Sequence, residues 1–334
     1  MTVSGEAPLP GLDEIKAAAE LIYRTMPATP QYSWPLLNER ASEIAGAVEV
    51  WVKHENHTPV GAFKVRGGLV YMDWLRRERP EVKTVVSATR GNHGQSLAFA
   101  GKQLGLRVVI VVPFGNSPEK NRSMRCLGAE LVEFGHDFQE ASEHAASLEE
   151  KFGWHRVPSF DLRLVKGVST YAWEMFTACP ELDTFYVPIG MGSGSCGAIA
   201  ARNALELKTK VVGVVSSHAP AYALSFAAGH VREHESATRI ADGVACRQPD
   251  AMALEILKAG LDRVVMVDDE AVKDAMRAYF VDTHNVAEGA GAIGLAALLM
   301  DRPKGGARVG TVLCGGNVDS DVFGSVLCDS GLQK

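Results

Sequence analysis

Lys64 lies in the run His57-Thr58-Pro59-Val60-Gly61-Ala62-Phe63-Lys64-Val65-Arg66-Gly67-Gly68, between a strand-like apolar segment and a helix-like one. In the first turn of a helix a lysine feels the positive end of the macrodipole, which disfavours its ammonium form and frees the amine. A free amine condenses with an aldehyde, the Schiff-base chemistry that lysine offers to carbonyl substrates and aldehyde cofactors. Gly61 and Ala62 leave room beside it, and Phe63 could flank a flat ring. Taken alone, the stretch is better explained as a solvated lysine after a turn.

Other segments carry chemistry of their own. Ser87-Ala88-Thr89-Arg90-Gly91-Asn92-His93-Gly94-Gln95 crowds hydroxyl, amide and imidazole groups at a helix start, where exposed N–H groups can hold a carboxylate. It reads equally as an ordinary capped helix, with Asn92 as the N-cap and His93 exposed. Pro188-Ile189-Gly190-Met191-Gly192-Ser193-Gly194-Ser195-Cys196-Gly197 joins a strand to a helix, and its peptide N–H groups suit a phosphate. Gly192, Gly194 and Gly197 also satisfy a dinucleotide-binding fingerprint. That fingerprint requires an acid at the end of the next strand, yet Val211 to Val215 runs into Ser216, Ser217 and His218. A simple phosphate therefore fits better than NAD, with a structural glycine turn as the other alternative.

Cys314-Gly315-Gly316-Asn317 follows an apolar strand and by itself reads as a buried thiol before a tight turn. Ala287-Glu288-Gly289-Ala290-Gly291-Ala292 permits close backbone approach near a carboxylate, which helix packing explains as well as function does. His54 and His57 lack a third ligand, so each reads as a solvated or capping histidine. No nucleophile-elbow pattern is present.

These loops need a scaffold. Apolar runs predict strands at 48–53, 84–88, 107–112, 130–134, 184–189, 210–215, 263–267 and 308–314, with helices at 12–24, 64–79, 92–104, 117–127, 138–152, 194–207 and 269–283. The segment from Pro27 to Pro35 reads as turn-rich and irregular. Continuous apolar strands alternating with amphipathic helices mean mostly parallel sheets covered on both faces, where ligands bind beyond the carboxyl ends of the strands. The strands divide into a cluster at 84–135 and another at 184–314. No repeat or long linker separates them.

The chain has 334 residues, 46% apolar and 22% charged, with a formal net charge of -6. That balance offers no basic footprint for nucleic acid. The N-terminus lacks the features of a signal peptide and no run approaches a membrane span, so a cytoplasmic protein with no membrane partner is expected. The six cysteines are scattered without a C-x-x-C pair, as expected for reduced thiols, most of them small core residues.

Together these segments resemble the fold-type II pyridoxal-phosphate enzymes, and among them the serine/threonine dehydratase and serine racemase family. Lys53-x-Glu55-Asn56, Gly61 to Gly67, Gly91-Asn92-His93-Gly94-Gln95, the glycine loop 190–194 and Cys314-Gly315-Gly316-Asn317 occur in the family's order and rough spacing across nearly the whole chain. The resemblance implies an α/β fold of two doubly wound, mostly parallel open-sheet domains, like the tryptophan synthase β subunit, with pyridoxal 5'-phosphate in the cleft between them. The domains would be 1–83 plus 156–334 (large) and 84–155 (small).

It further implies that Lys64 carries the cofactor as a Schiff base and acts as catalytic base. Phe63 would flank the ring, Asn92 contact the 3-hydroxyl, Gly190, Met191, Gly192, Ser193 and Gly194 wrap the phosphate, and Cys314 face the ring nitrogen. Thr89, Arg90, Gly91, Asn92 and His93 would take the substrate carboxylate. The implied reaction is α,β-elimination from a β-hydroxy amino acid to a 2-oxo acid and ammonia, the hydroxyl leaving as water protonated through the cofactor phosphate. A neutral thiol at the ring nitrogen favours prompt elimination over a long-lived carbanion. A homodimer is implied as well. No regulatory domain follows residue 330, so the isoleucine-controlled architecture is not expected.

Two departures stand out. Where the family usually has Ser-Ser-Gly-Asn-His, this chain has Thr89-Arg90-Gly91-Asn92-His93; the serine that acts as second acid in racemases is replaced by arginine. Racemisation is therefore disfavoured. Arg90 could instead bind a second acid group or face a larger substrate, or turn away into a salt bridge. The stretch 214–221, where some relatives hold a divalent cation, contains no acid, so no metal site is expected. Competing readings are a racemase or β-replacing transferase of the same fold, an NAD-linked dehydrogenase, and a catalytically silent amino-acid-binding protein.

Overall fold

The β-branched runs around residues 84–112 and 184–216 have no polar face to turn to water, so they form strands buried on both sides. The computed structural model describes residues 9–304 and 306–329. From the N-terminus come α1 (Leu12–Tyr23), β1 (Gln31–Ser33), α2 (Pro35–Ala45), β2 (Glu49–His54), α3 (Lys64–Glu78), β3 (Thr84–Ala88) and α4 (Asn92–Gln103). There follow β4 (Arg107–Val112), α5 (Pro118–Cys126), β5 (Glu130–Glu133), α6 (Phe138–Phe152), β6 (His155–Arg156), α7 (Leu162–Ala178), β7 (Thr184–Pro188) and α8 (Ser193–Ala204). The chain continues through β8 (Lys210–Ser216), α9 (Ala221–Ala228), α10 (Ala251–Gly260), β9 (Arg263–Val267), α11 (Asp269–Thr283), α12 (Gly289–Asp301), β10 (Arg308–Leu313) and α13 (Ser320–Cys328).

Two open sheets result, a six-stranded one in the order β1-β2-β10-β7-β8-β9 and a four-stranded one in the order β5-β4-β3-β6. Every pairing is parallel except β1 with β2. The expected mostly parallel α/β architecture is therefore present. The larger sheet is backed by α7, α8, α11 and α12, whose buried residues join those of the strands in one core. Val85, Ile110 and Val112 of the small sheet share a second core with α1, α3 and α4.

Two sequence expectations are corrected. The 27–35 segment is not irregular throughout: Gln31, Tyr32 and Ser33 pair antiparallel with Lys53, Val52 and Trp51, and Pro35 opens α2 at a position that needs no N–H donor. Long-range pairing creates this strand. β6 spans the expected 155/156 division, His155 and Arg156 both pairing with β3. His54 is fully buried, stacked on His57 at 5.3 Å and accepting a hydrogen bond from Trp34 Nε1 at 3.0 Å, so it is not a solvated histidine. Of the cysteines, Cys179, Cys196, Cys246 and Cys314 are buried, while Cys126 and Cys328 are exposed.

Candidate active site

Lys64 is the first residue of α3, and the turn before it is fixed from two directions. Thr58 Oγ1 accepts from Ala62 N and donates to Ala62 O, both at 2.9 Å. Phe63 N donates to Cys314 O at 2.9 Å and Gly316 N to Gly61 O at 2.9 Å, tying this turn to the loop after β10. Gly61, at φ 67°, makes the turn possible in a region costly for residues with a Cβ. Two residues into α3, Arg66 is fully buried and donates to Glu55 Oε2 at 2.7 Å and to Glu174 Oε1 at 2.6 Å. Lys53 Nζ meets the same Glu174 at 2.6 Å. This charge network anchors the start of α3 from beneath, leaving Lys64 to face the cavity.

The Lys64 amine makes no hydrogen bond or ion pair with the described residues and lies 5.3 Å from the centre of the Phe63 ring. Burial lowers its pKa below the ordinary lysine value, against an opposing pull from Cys314 and Glu288. The result is an amine more easily deprotonated than one in water.

Phe63, Lys64, Thr89, Arg90, Gly91, Asn92, His93, Gly190, Met191, Gly192, Ser193, Gly194 and Cys314 all line one cavity of about 920 Å³, its open mouth included. Loops after β3, β7 and β10 thus converge from both sheets, where the switch-point rule for open sheets puts a ligand. The structure settles the helix-start alternatives after β3: Gly91, not Asn92, is the N-cap of α4, and His93 is buried rather than exposed. The Thr89 hydroxyl accepts from Gly91 N at 3.0 Å and closes the turn. Asn92 accepts from Asn317 Nδ2 at 2.9 Å and donates to Glu288 Oε1 at 2.5 Å, so its amide is held edge-on at the cavity.

The second loop is a cradle built by missing side chains. A Cβ at Gly190 would sit 2.4 Å from Gly243 O, and one at Gly192, where φ is 98°, would sit 2.8 Å from Ala253 Cβ. Tyr222 donates to Met191 O at 3.0 Å and Tyr171 to Gly194 O at 2.9 Å, turning those carbonyls outward and the amides toward the cavity at the start of α8. Gly192→Ala combines a left-handed φ with that contact and is expected to weaken cofactor retention by about tenfold or more, measured as a dissociation constant by equilibrium dialysis.

Glu288, from the 287–292 stretch, completes the wall together with Lys120 and Asp242, which the sequence reading did not single out. Glu288, at the start of α12, has burial pushing its carboxyl above the usual range, with Lys120 pulling against it from 3.4 Å. Burial lowers the Lys120 pKa, but Glu288 and Asp242 together outweigh this and hold it charged, with Asp242 Oδ2 at 2.8 Å. Lys120 belongs to α5, beside the small sheet, while Asp242 lies between α9 and α10 and Glu288 between α11 and α12. Burial, and Glu288 with it, push the Cys314 thiol well above its ordinary range, so it stays protonated and donates to Ala290 O at 3.3 Å.

His93 is pushed down to about 3 by burial and by Lys64, and its Nε2 has no protein partner; His54 is pushed down to about 4 by burial and by His57. Both histidines fold as neutral rings. Below their unfolded value near 6.5 the unfolded chain binds more protons than the folded one, so stability falls as pH drops from about 6.5 toward 4. The loss is on the order of 3 kcal/mol for each ring. Thermal melting at pH 7 and pH 5 should show the drop, and His54→Phe should flatten the slope.

Two open, mostly parallel sheets with a desolvated lysine amine at one side of their cleft and a glycine-built anion cradle at the other define an enzyme that holds a phosphorylated aldehyde. The chain belongs to the pyridoxal-phosphate dependent enzyme family, whose pattern matches residues 31–315. It is 33% identical over 294 residues to the L-threonine ammonia-lyase of Thermotoga maritima, covering 88% of this chain and 73% of that protein. A processed form of threonine deaminase isoform 2 from Solanum lycopersicum superposes with a TM-score of 0.85 at 27% identity, covering 97% of this chain and 95% of that one. Maize serine racemase superposes with a TM-score of 0.87 at 26% identity, covering 96% and 98%.

The site fits that cofactor. An uncommitted amine, an anion cradle that side chains would fill, and the unpartnered His93 nitrogen all face one cavity. The enzyme is a pyridoxal-phosphate dependent lyase of the ammonia-lyase type.

Proposed function

We propose that the chain eliminates the β-hydroxyl of a small β-hydroxy amino acid of the threonine and serine class, yielding a 2-oxo acid and ammonia. The observation that carries this reading is the meeting of Lys64, the Gly190–Gly194 cradle, Asn92 and a protonated Cys314 in one cavity, and the threonine ammonia-lyase relatives support it. Gly190, Met191, Gly192, Ser193 and Gly194 would hold the cofactor phosphate, Lys64 the aldehyde carbon, Asn92 the 3-hydroxyl and Cys314 the ring nitrogen, with Phe63 against the ring. When bound, the cofactor supplies a sink for the electron pair left as the α proton departs.

The chain's own groups do the rest. The N–H groups of Asn92, His93 and Gly94 in the first turn of α4 have no intrahelical partner and receive the substrate α-carboxylate. Lys64 Nζ, poised by its lowered pKa, takes the α proton. A protonated Cys314 leaves no negative charge beside the ring nitrogen, so the departing hydroxyl, rather than a long-lived carbanion, resolves the charge. His93 stays neutral down to about pH 3, so the activity profile above pH 5 carries no inflection from it.

The test is direct. Cofactor-loaded protein incubated with L-threonine or L-serine is expected to release equal amounts of 2-oxo acid and ammonia, without D-isomer. A D-amino acid accumulating in place of the 2-oxo acid would instead favour the racemase reading, which the maize neighbour represents. Replacement of the β-hydroxyl by an added thiol would favour a transferase.

The same reading includes a homodimer in the cytoplasm, with two units, a large cofactor-binding one of 1–83 plus 156–334 and a small one of 84–155 that carries the Asn92 loop. The separate sheets support the two units, and unpaired cysteines support a reducing compartment. Among the described residues no helix is long and apolar enough to cross a membrane. Exposed Tyr32, Leu36, Val281 and Val286 offer apolar surface to a second copy.

A further inference from the structure

Arg90 stands where two cavities join. The first is the catalytic one. The second, about 1850 Å³ with its mouth included, runs past Asp137, Arg156, Pro158, Arg247 and Asp250. Arg90, Phe138, Ser159, Met191, Asp242 and Cys246 line both, so the two chambers adjoin and Arg90 stands at their common border.

Apart from Arg90, the arginines around this border and Lys120 are all spoken for. Lys120 is matched by Asp242 and Glu288, Arg156 by Glu149 at 2.8 Å, and Arg247 by Asp137 at 3.3 Å. Asp250 Oδ1 caps α10 through Ala253 N at 2.9 Å, and Glu235, also on the second wall, makes no ion pair with Arg90. Among the described residues Arg90 makes no ion pair and no side-chain hydrogen bond, so it does not turn away into a salt bridge. A guanidinium cannot shed its charge near neutral pH and presents a fork matched to a carboxylate. The substrate α-carboxylate already has the first-turn N–H groups of α4. Arg90 is left for a different anion.

We propose that Arg90 selects an amino acid bearing a second carboxylate on its side chain, which reaches Arg90 at the border of the second chamber while the β-hydroxyl stays by Lys64. This rests on the elimination reading above and names its substrate class, a β-hydroxy dicarboxylic amino acid. Loss of the α proton and the β-hydroxyl as water, followed by addition of water to the released product, would yield a 2-oxo dicarboxylic acid and ammonia.

Steady-state kinetics on the cofactor-loaded enzyme compares 3-hydroxyaspartate with L-threonine. The expected kcat/KM favours 3-hydroxyaspartate by about 100-fold, and Arg90→Met is expected to shrink that ratio by a similar factor, chiefly through KM, with Arg90→Lys recovering part of it. A wild-type preference for threonine, or an Arg90→Met variant that lowers both substrates alike or loosens the cofactor, would overturn the proposal.

L-Aspartate and L-alanine, which carry no leaving hydroxyl, give a readout independent of turnover. Their binding, followed through the cofactor absorption, should favour aspartate in the wild type and lose that preference in Arg90→Met. If neither hydroxy acid yields a 2-oxo acid yet aspartate still outcompetes alanine through Arg90, the elimination reading fails and the role of Arg90 stands. Equal binding of the two by the wild type removes that role whatever the reaction. Melting curves for the variants should match the wild type, since Arg90 makes no ion pair to lose.

Discussion

Lys64→Ala is expected to lower turnover by about 10⁴-fold or more and to abolish the visible absorption band of the cofactor-loaded protein. Two functions sit on one nitrogen: the covalent hold on the aldehyde and the removal of the α proton. Their loss together exceeds what removal of a general base alone produces. The fold should survive, because the amine has no hydrogen-bonding partner among the described residues, and a near-unchanged melting temperature would separate a chemical defect from misfolding. A small primary amine added to the buffer should restore part of the proton transfer. Wild-type turnover in the alanine variant would remove Lys64 from the mechanism.

The second large effect concerns stability. Arg66→Met leaves Glu55 and Glu174, both buried, facing a thioether instead of a guanidinium that bridged them. Breaking one side of a buried ionic network costs about 3–5 kcal/mol, because Glu55 loses its ion-pair partner without regaining water and Glu174 is left with Lys53 alone. Denaturant melts should show the loss. Adding Glu55→Gln to Arg66→Met should recover part of it by removing the one charge left without a counter-ion, since Glu174 keeps Lys53 at 2.6 Å. Cofactor affinity should drop as well, since the same network seats the first turn of α3 under Lys64.

Strands with continuous β-branched character and helices with one apolar stripe were legible from the residues: β3, β4, β9, α6 and α11 have the expected limits. The longest helix, α7, escaped that reading. Its middle, Gly167-Val168-Ser169-Thr170, is built of weak helix formers that mask an otherwise amphipathic segment. Gly-Ala-rich α12 is hidden for a different reason: it is buried along most of its length and has no polar face to announce a period.

The cavity residues were legible where they fall on strand-to-helix loops, since glycine and helix-start chemistry are local signals. Lys120 and Asp242 were not. Their link spans 122 positions, and nothing near Lys120 in the chain distinguishes it from a surface lysine. Arg90 was legible as a departure, but its lack of an ion pair and its place between two chambers depend on residues as distant as Arg247.

The position of β10 bears on how the protein is made. It lies between β2 and β7, yet it is the last strand of the chain to be synthesised, some 250 residues after β2. At translation rates of about 5–20 residues per second, the ribosome takes on the order of tens of seconds to cover that distance. Over that interval β2, and β7 once it has been made, present unsatisfied edges that only β10 can close, and such edges recruit other nascent chains. The turn before Lys64 stays unmoored for the same interval, because its antiparallel bridge from Ala62 to Gly315 awaits the end of β10. Cofactor capture is therefore a post-translational event, and a cell making this enzyme quickly has to shield a half-built sheet until its central strand arrives.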